Sequence, residues 1–347
     1  MKILIMHAYS RRNQGDGLLV DETVQIVREA WPQAELDLIA SEPSSFAGVA
    51  QRSVSSKPKS VRQAFSYFRT LTRIRQYDIA VAVGGGYLRA RRPLDLMKMA
   101  IVHGPQLVAA GCARRAAYFP QSIGPFDPKT ASVVKALLRR LDVVMVRDDR
   151  SQADLDGVEP VRSMDLALMS DKLTERRTRS VNPRPVLSVR AVGGTGDENI
   201  RLLADELRPF DSLVQSSVSG NNDVAATHKL APAALLGHED DDGRSPRRVF
   251  VAVRLHAALM ALQQGHYVIH LAYERKGFGA FQDLGLSEFV HNVYDFKVDE
   301  VMHQCESLLK SESKRSEYDR ILNQGGVERR SARTHLIQEL RRICVDV

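Results

Sequence analysis

Residues 249–286 read VFVAVRLHAALMALQQGHYVIHLAYERKGFGAFQDLGL. The apolar run Val249–Val253 predicts a strand buried on both faces, and Ala257–Gln264 predicts a helix rich in small residues. A second apolar run, Tyr267–Leu271, comes within a few residues of that helix. Two buried strands joined by one helix form a parallel crossover unit. Arg254, Leu255 and His256 stand at its strand-to-helix junction.

The same alternation extends outward in both directions. Val186–Val192 and Ser212–Val218 predict further strands ahead of the quoted stretch. Lys2–Met6, Asp78–Val83, Ala116–Phe119 and Val143–Val146 predict strands near the start. Leu18, Leu19, Val24, Ile26 and Val27 predict a helix after the polar turn Asn13–Asp16. The polar, basic segment 174–185 (TERRTRSVNPRP) has the composition of a connection between domains, and 238–248 (HEDDDGRSPRR) that of a solvated loop. From Val298 onward the chain is charged and helical, with a break at Gly325-Gly326 and an amphipathic tail through Ile337, Leu340 and Ile343. At 347 residues this is two domains, placed at 1–175 and 176–347, each α/β and doubly wound, facing a cleft.

Composition bounds the function. Hydrophobic residues make up 44% and charged residues 26%, values of an ordinary folded protein. The opening MKILIMHAYS is too short an apolar run for a signal peptide, so a cytoplasmic location is expected, which includes the inner face of a plasma membrane. Cys112, Cys305 and Cys344 are far apart and form no metal or disulfide pattern, and no metal site is expected. Of the net charge of +7, nearly all lies in residues 1–175, with 25 Lys/Arg against 19 Asp/Glu, which favours an anionic partner there. The basic residues are dispersed and carry no nucleic-acid motif, so nucleic acid is not the expected partner. Within 57–76, Val61, Phe65, Phe68 and Leu71 fall on one helical side among six basic residues. That pattern fits an anionic membrane surface and equally a core-facing helix with a basic outer face.

In open α/β sheets ligands bind beyond the carboxyl ends of strands, so the residues there are the candidates. The first half offers the turns 13–17 (NQGDG), Gly84-Gly85-Gly86 and 121–125 (QSIGP). Each reads equally as a tight turn, and Asp16 equally as a helix cap. Neither GxGxxG nor GxxxxGK[ST] is present, which removes support for a dinucleotide or a P-loop nucleotide. The second half offers Arg190, which closes the strand VLSVR, Asn222 with Asp223, and Arg254 with His256.

The stretch Val251–Leu286 resembles the most characteristic segment of the polysaccharide pyruvyl transferases, with Tyr273 and Lys276 completing it. The blocks Asn13-x-Gly15-Asp16, Gly84–Gly86, Gln121–Pro125, Arg147-Asp148 with Ser151, and Asp165-x-Ala167 stand in that family's order. The chain departs from it at Tyr87–Ala90 and the basic run to Arg92. The resemblance implies a fold similar to GT-B glycosyltransferases. It also implies transfer of pyruvate from phosphoenolpyruvate to two hydroxyls of a saccharide, giving a cyclic ketal and phosphate. Phosphoenolpyruvate is then a co-substrate, no cofactor is implied, and the acceptor is a glycan precursor compatible with a lipid-linked one. Carried onto this sequence, Arg190 and Arg254 hold the donor's carboxylate and phosphate and His256 moves the proton. The turn at Leu255 adds backbone donors, and Lys276 reads as a phosphate ligand or a surface residue. Asn13, Gly15, Asp16, Gly85, Gly86, Gln121, Ser122, Gly124, Asn222, Asp223 and Tyr273 line the substrates. A nucleotide-sugar glycosyltransferase and a non-catalytic saccharide binder remain open alternatives at this level.

Overall fold

A computed structural model describes residues 1–90, 93–173, 180–218, 221–237 and 245–344. Residues 174–179 and 238–244, the greater part of the two expected connections, lie outside them, as do Arg91 and Arg92 of the basic run. The chain forms two compact units. The first comprises Met1–Arg11, Asp16–Leu166 and Ser331–Val347, and the second Arg12–Gly15 and Ala167–Arg330. Chain order and unit membership thus part company twice: residues 12–15 count with the second unit, and the tail from Ser331 with the first. Within the first unit the tail is fixed by Arg333, which pairs with Glu22 and Glu29 of the helix Gln14–Ala30.

Among the described residues the first unit carries a seven-stranded parallel sheet. Its strands are β1 (Lys2–Ala8), β2 (Glu35–Ala40), β3 (Arg52–Ser55), β4 (Ile79–Ala82), β5 (Ala116–Gln121), β6 (Val143–Val146) and β7 (Val161–Arg162). The order β3-β2-β1-β4-β5-β6-β7 reverses between β1 and β4, the topological switch point of a doubly wound sheet. β4 is buried at every position, as a strand covered on both faces requires.

The second unit carries β8 (Val186–Ser188), β9 (Asp211–Ser212), β12 (Val249–Ala252), β13 (Tyr267–Ala272) and β14 (Val290–Asn292), with a two-stranded antiparallel ribbon of β10 (Ser217–Val218) and β11 (Asn221–Asn222). The five parallel strands run in the order β14-β13-β12-β8-β9, so the switch point lies between β8 and β12. Two expected strands are shorter than their apolar runs suggest. Val186–Val192 stops at Ser188, and 212–218 is divided between β9 and β10 because the intervening residues leave the sheet to start the ribbon. Among the described residues no helix is long and apolar enough to cross a membrane.

Candidate functional site

Because β8 and β12 flank the switch point, the segments leaving their carboxyl ends share the crevice where such sheets bind ligands. Arg190 comes two residues after β8 and Arg254 two residues after β12. Arg190 therefore lies beyond its strand rather than closing it. Tyr273 comes directly after β13, the next strand over, and its hydroxyl accepts a hydrogen bond of 2.9 Å from Arg190 Nη1. The Arg190 guanidinium also lies 4.9 Å from the Tyr273 ring centre, close enough for a cation–π contact.

Arg254 sits at the N-cap of the helix Leu255–Gln263. Its Nε and Nη2 donate to the two carboxylate oxygens of Asp223 at 2.5 and 2.7 Å, and both residues are buried. This two-point pairing fixes the plane of the guanidinium. Burial holds the Asp223 carboxyl above its ordinary value, while Arg254 and then Arg190 pull it down. Asp223 thus holds Arg254 directly, while Arg190 acts on it only through its charge. Its neighbour Asn222 is exposed within β11 and accepts a hydrogen bond from the Val224 amide, a turn-forming role.

His256 is the second residue of the same helix. Gly15 lies against it: a Cβ built on Gly15 would be 2.5 Å from His256 Nδ1 and 2.6 Å from its Cβ. A bare backbone is therefore required where residues 12–15 pass the imidazole. Asn13 forms a bridge with Ser216, and the Ser216 carbonyl accepts from the Asp223 amide at 2.8 Å, which ties the polar turn to the arginine carboxylate partner. Leu255 is buried. Lys276 pairs with Glu274 at 2.8 Å. Gln215 was not expected from the sequence. It is buried, donates to Met260 Sδ at 3.5 Å, and leaves Oε1 without a hydrogen-bond partner among the described residues. Its signal, a glutamine within the apolar run 212–218, was hidden by the strand expected there.

The first-unit blocks behave differently. Ser122 donates to Asp148 Oδ2 at 2.7 Å and accepts from Arg147 Nε at 3.0 Å. Arg147 also pairs with Asp165 in full burial, and Ser151 Oγ accepts the Ile123 amide at 2.9 Å. Most of these motif residues are thus occupied with one another. Gly84 packs its backbone against Pro120, where a Cβ would meet the carbonyl oxygen at 2.7 Å, and Gly85 bridges to Gln121. Gly86 lies beside Arg147, and Gly124 beside Asp154. Asp16 falls inside the first turn of Gln14–Ala30, whose start lies within the expected turn, so it favours the helix dipole from there instead of preceding the helix.

The carboxyl end of β1 holds a cluster that sequence reasoning missed. His7, at φ +66°, has Nε2 2.7 Å from the Tyr118 hydroxyl and Nδ1 3.1 Å from His103 Nδ1. Tyr87 stacks on both imidazoles. Burial, and then His103, keeps His7 well below the ordinary imidazole value. Burial, and then Lys57, brings His103 down to about 4. This is a neutral, hydrogen-bonded pair at the first unit's own switch point. A histidine ending the first strand was its only local sign. Among the described residues no group of three His, Cys, Asp or Glu side chains is placed to hold a metal ion.

The family model described as polysaccharide pyruvyl transferase matches residues 13–220, a span that includes Arg190 and stops short of Arg254 and His256. No curated protein sequence matches the chain. Similar solved structures include a putative UDP-N-acetylglucosamine 2-epimerase from Listeria monocytogenes, with TM-score 0.55 and 9% identity over 98% of this chain and 95% of that one. UDP-GlcNAc 2-epimerase from Neisseria meningitidis gives 0.54 and 10% over 99% and 100%. An O-GlcNAc transferase mutant from Thermobaculum terrenum gives 0.52 and 13% over 100% and 68%. At such identities the likeness concerns the fold: α/β, with parallel sheets in two Rossmann-like domains, as in GT-B glycosyltransferases and epimerases.

Proposed function

Since the chain belongs to the polysaccharide pyruvyl transferase family, we propose that this transferase moves pyruvate from phosphoenolpyruvate onto two hydroxyls of a saccharide and releases phosphate. The observation that carries the reading is that Arg190 and Arg254 follow the neighbouring strands β8 and β12 at the switch point and both act on the Asp223 carboxyl, with His256 in the adjoining helical turn. Two guanidinium groups suit a small donor bearing carboxylate and phosphate, because each offers a planar fork of donors. The first turn of Leu255–Gln263 adds backbone N–H groups that have no carbonyl partner within the helix.

The chemistry requires a proton on the donor's methylene carbon as one sugar oxygen bonds to C2. A second sugar oxygen then displaces phosphate from C2, and its proton leaves with phosphate or to a base. His256 is the group for this proton traffic, since imidazole exchanges protons near neutrality. Asp223 orients Arg254, and Tyr273 orients Arg190. Lys276, paired with Glu274, is a reserve cation for the phosphate. Acceptor binding is assigned to the first unit, where the His7–His103–Tyr118 cluster and Gly85, Gly86, Gln121, Ser122 and Gly124 lie at strand ends. Asn13, Gly15, Asp16, Asn222 and Leu255 complete the proposed substrate contacts, Gly15 by leaving room at the imidazole.

The test is phosphate release from phosphoenolpyruvate with a panel of glycan-precursor acceptors. Acceptor-dependent release together with a pyruvate ketal on the product supports the reading. Nucleotide release from a sugar nucleotide, with no reaction of phosphoenolpyruvate, overturns it in favour of glycosyl transfer.

A further inference from the structure

The helix Val61–Thr72 divides its surface three ways. Tyr67, Thr70 and Leu71 are buried in the first unit. Val61, Phe65 and Phe68 project outward, exposed to 88%, 66% and 54%. The expected single apolar side is therefore two, with Leu71 on the inner one. Arg62, Arg69 and Arg73 recur at helical spacing beside the exposed ridge. Ser60 caps the helix by accepting from the Gln63 amide, so the ridge is presented on an ordered element.

A second ridge stands close by. Leu94, Met97, Ile101 and Val108 are exposed by about half or more, at helical spacings from Pro93–Lys98 through the π-helical segment Met99–His103 to Gly104–Ala110. The helix Gly104–Ala110 packs beside Val61–Thr72. Lys57 and Lys98, one from each segment, are near enough that Lys98, after burial, lowers the Lys57 ammonium below its ordinary value. Isolated surface leucines need no explanation, but two neighbouring ridges of large side chains do. Residues 57–76 hold Lys and Arg but no Asp or Glu. A protein partner or a second copy would meet this surface with apolar and acidic residues at fixed positions. A phospholipid surface offers both features at every point.

We propose that the ridges Val61/Phe65/Phe68 and Leu94/Met97/Ile101 seat the first unit on an anionic phospholipid membrane, with Arg62, Arg69, Arg73 and Lys98 against the headgroups. Side chains enter the headgroup boundary without any helix spanning it. The inference goes beyond the transferase reading and does not need the donor chemistry. It bears on the acceptor, because an enzyme held on the membrane meets lipid-linked saccharides.

The experiment is flotation of the full-length chain with vesicles of phosphatidylglycerol and phosphatidylcholine, against phosphatidylcholine alone. The expected result is flotation with the anionic vesicles, weakened about tenfold at about 0.5 M salt as the headgroup field is screened. Phe65→Ser/Phe68→Ser and, separately, Arg62→Gln/Arg69→Gln/Arg73→Gln are expected to remain in the aqueous fraction, with unfolding temperature and turnover on a water-soluble acceptor unchanged. Equal flotation of wild type and both variants, or no flotation of the wild type, overturns the proposal. So does a wild-type dimer in light scattering that Phe65→Ser/Phe68→Ser converts to monomer, which would make the ridges an interface between copies. Flotation is read without turnover, so failure of the pyruvyl-transfer reading leaves this test intact.

Discussion

Gly15 faces His256 with no room for a side chain: a methyl group at that α-carbon would come within 2.5 to 2.7 Å of the imidazole Nδ1, Cβ and Cγ. The polar turn near the start of the chain thereby sets the position of a histidine in the second unit.

Gly15→Ala is expected to move His256 while leaving the fold. Overpacking of one methyl costs about 1–3 kcal/mol, and a displacement near 1 Å at a proton-transfer group lowers turnover about 100-fold. Phosphate release in the steady state, alongside thermal unfolding, measures both. An unaltered rate would mean that the proton moves through another group, and His256→Ala, expected to be nearly inactive and folded, separates the cases.

Asp223→Asn removes a carboxylate from a buried guanidinium that it binds at two points. Leaving a buried charge without its partner costs about 3 kcal/mol, seen as a lower denaturant midpoint. Donor KM is expected to change with it, because Arg254 loses its orientation. A midpoint equal to wild type would show that Arg254 has found solvent or another anion.

Tyr273→Phe deletes the 2.9 Å hydrogen bond to Arg190 and keeps the ring beneath the guanidinium. One hydrogen bond is worth about 1 kcal/mol, so donor KM is expected to rise about fivefold with kcat little changed. Tyr273→Ala, which also removes the ring, is expected to raise it further. No effect from either would place Tyr273 outside the donor site.

His270 supplies a pH dependence of stability. It is buried, its Nδ1 lies 2.8 Å from the Ala252 carbonyl, and burial, offset in part by the Ala252 contact and aided by Lys276, brings it down to about 4. The folded value is below the unfolded value of about 6.5, so on acidification the unfolded chain takes up the proton first. His270 therefore costs nothing above about pH 7, and stability falls as pH drops from about 6.5 to about 4, by up to about 3 kcal/mol. Unfolding midpoints across that range should fall less steeply for His270→Gln than for wild type. Parallel curves would mean that this imidazole titrates at the same pH in the native and unfolded states.

Much of the candidate site was legible because strand ends announce themselves: an apolar run that stops at Arg254-Leu255-His256 marks a position whatever the fold around it. The first-unit motifs were legible as motifs yet not as structure. Ser122, Arg147, Asp148, Ser151 and Asp165 satisfy one another, and that pairing depends on β5 and β6 being neighbours. His7 was passed over because one histidine in a strand has no periodicity, and its partners His103 and Tyr118 lie 96 and 111 residues away.

The sequence alone determined the alternation of buried strands and helices, the placing of Arg190, Arg254 and His256 at or just beyond strand ends, and a basic excess lying almost wholly in residues 1–175. These are local properties, set by side-chain period and by composition. The tertiary structure decided that β8 and β12 are adjacent at a switch point, so that Arg190 and Arg254 follow neighbouring strands. It also decided that Asp223, 31 residues before Arg254, closes on its guanidinium, and that Phe65 and Phe68 face outward while Leu71 faces in. Strand order and the face a helix buries arise from packing between distant segments, and no single stretch of chain encodes them.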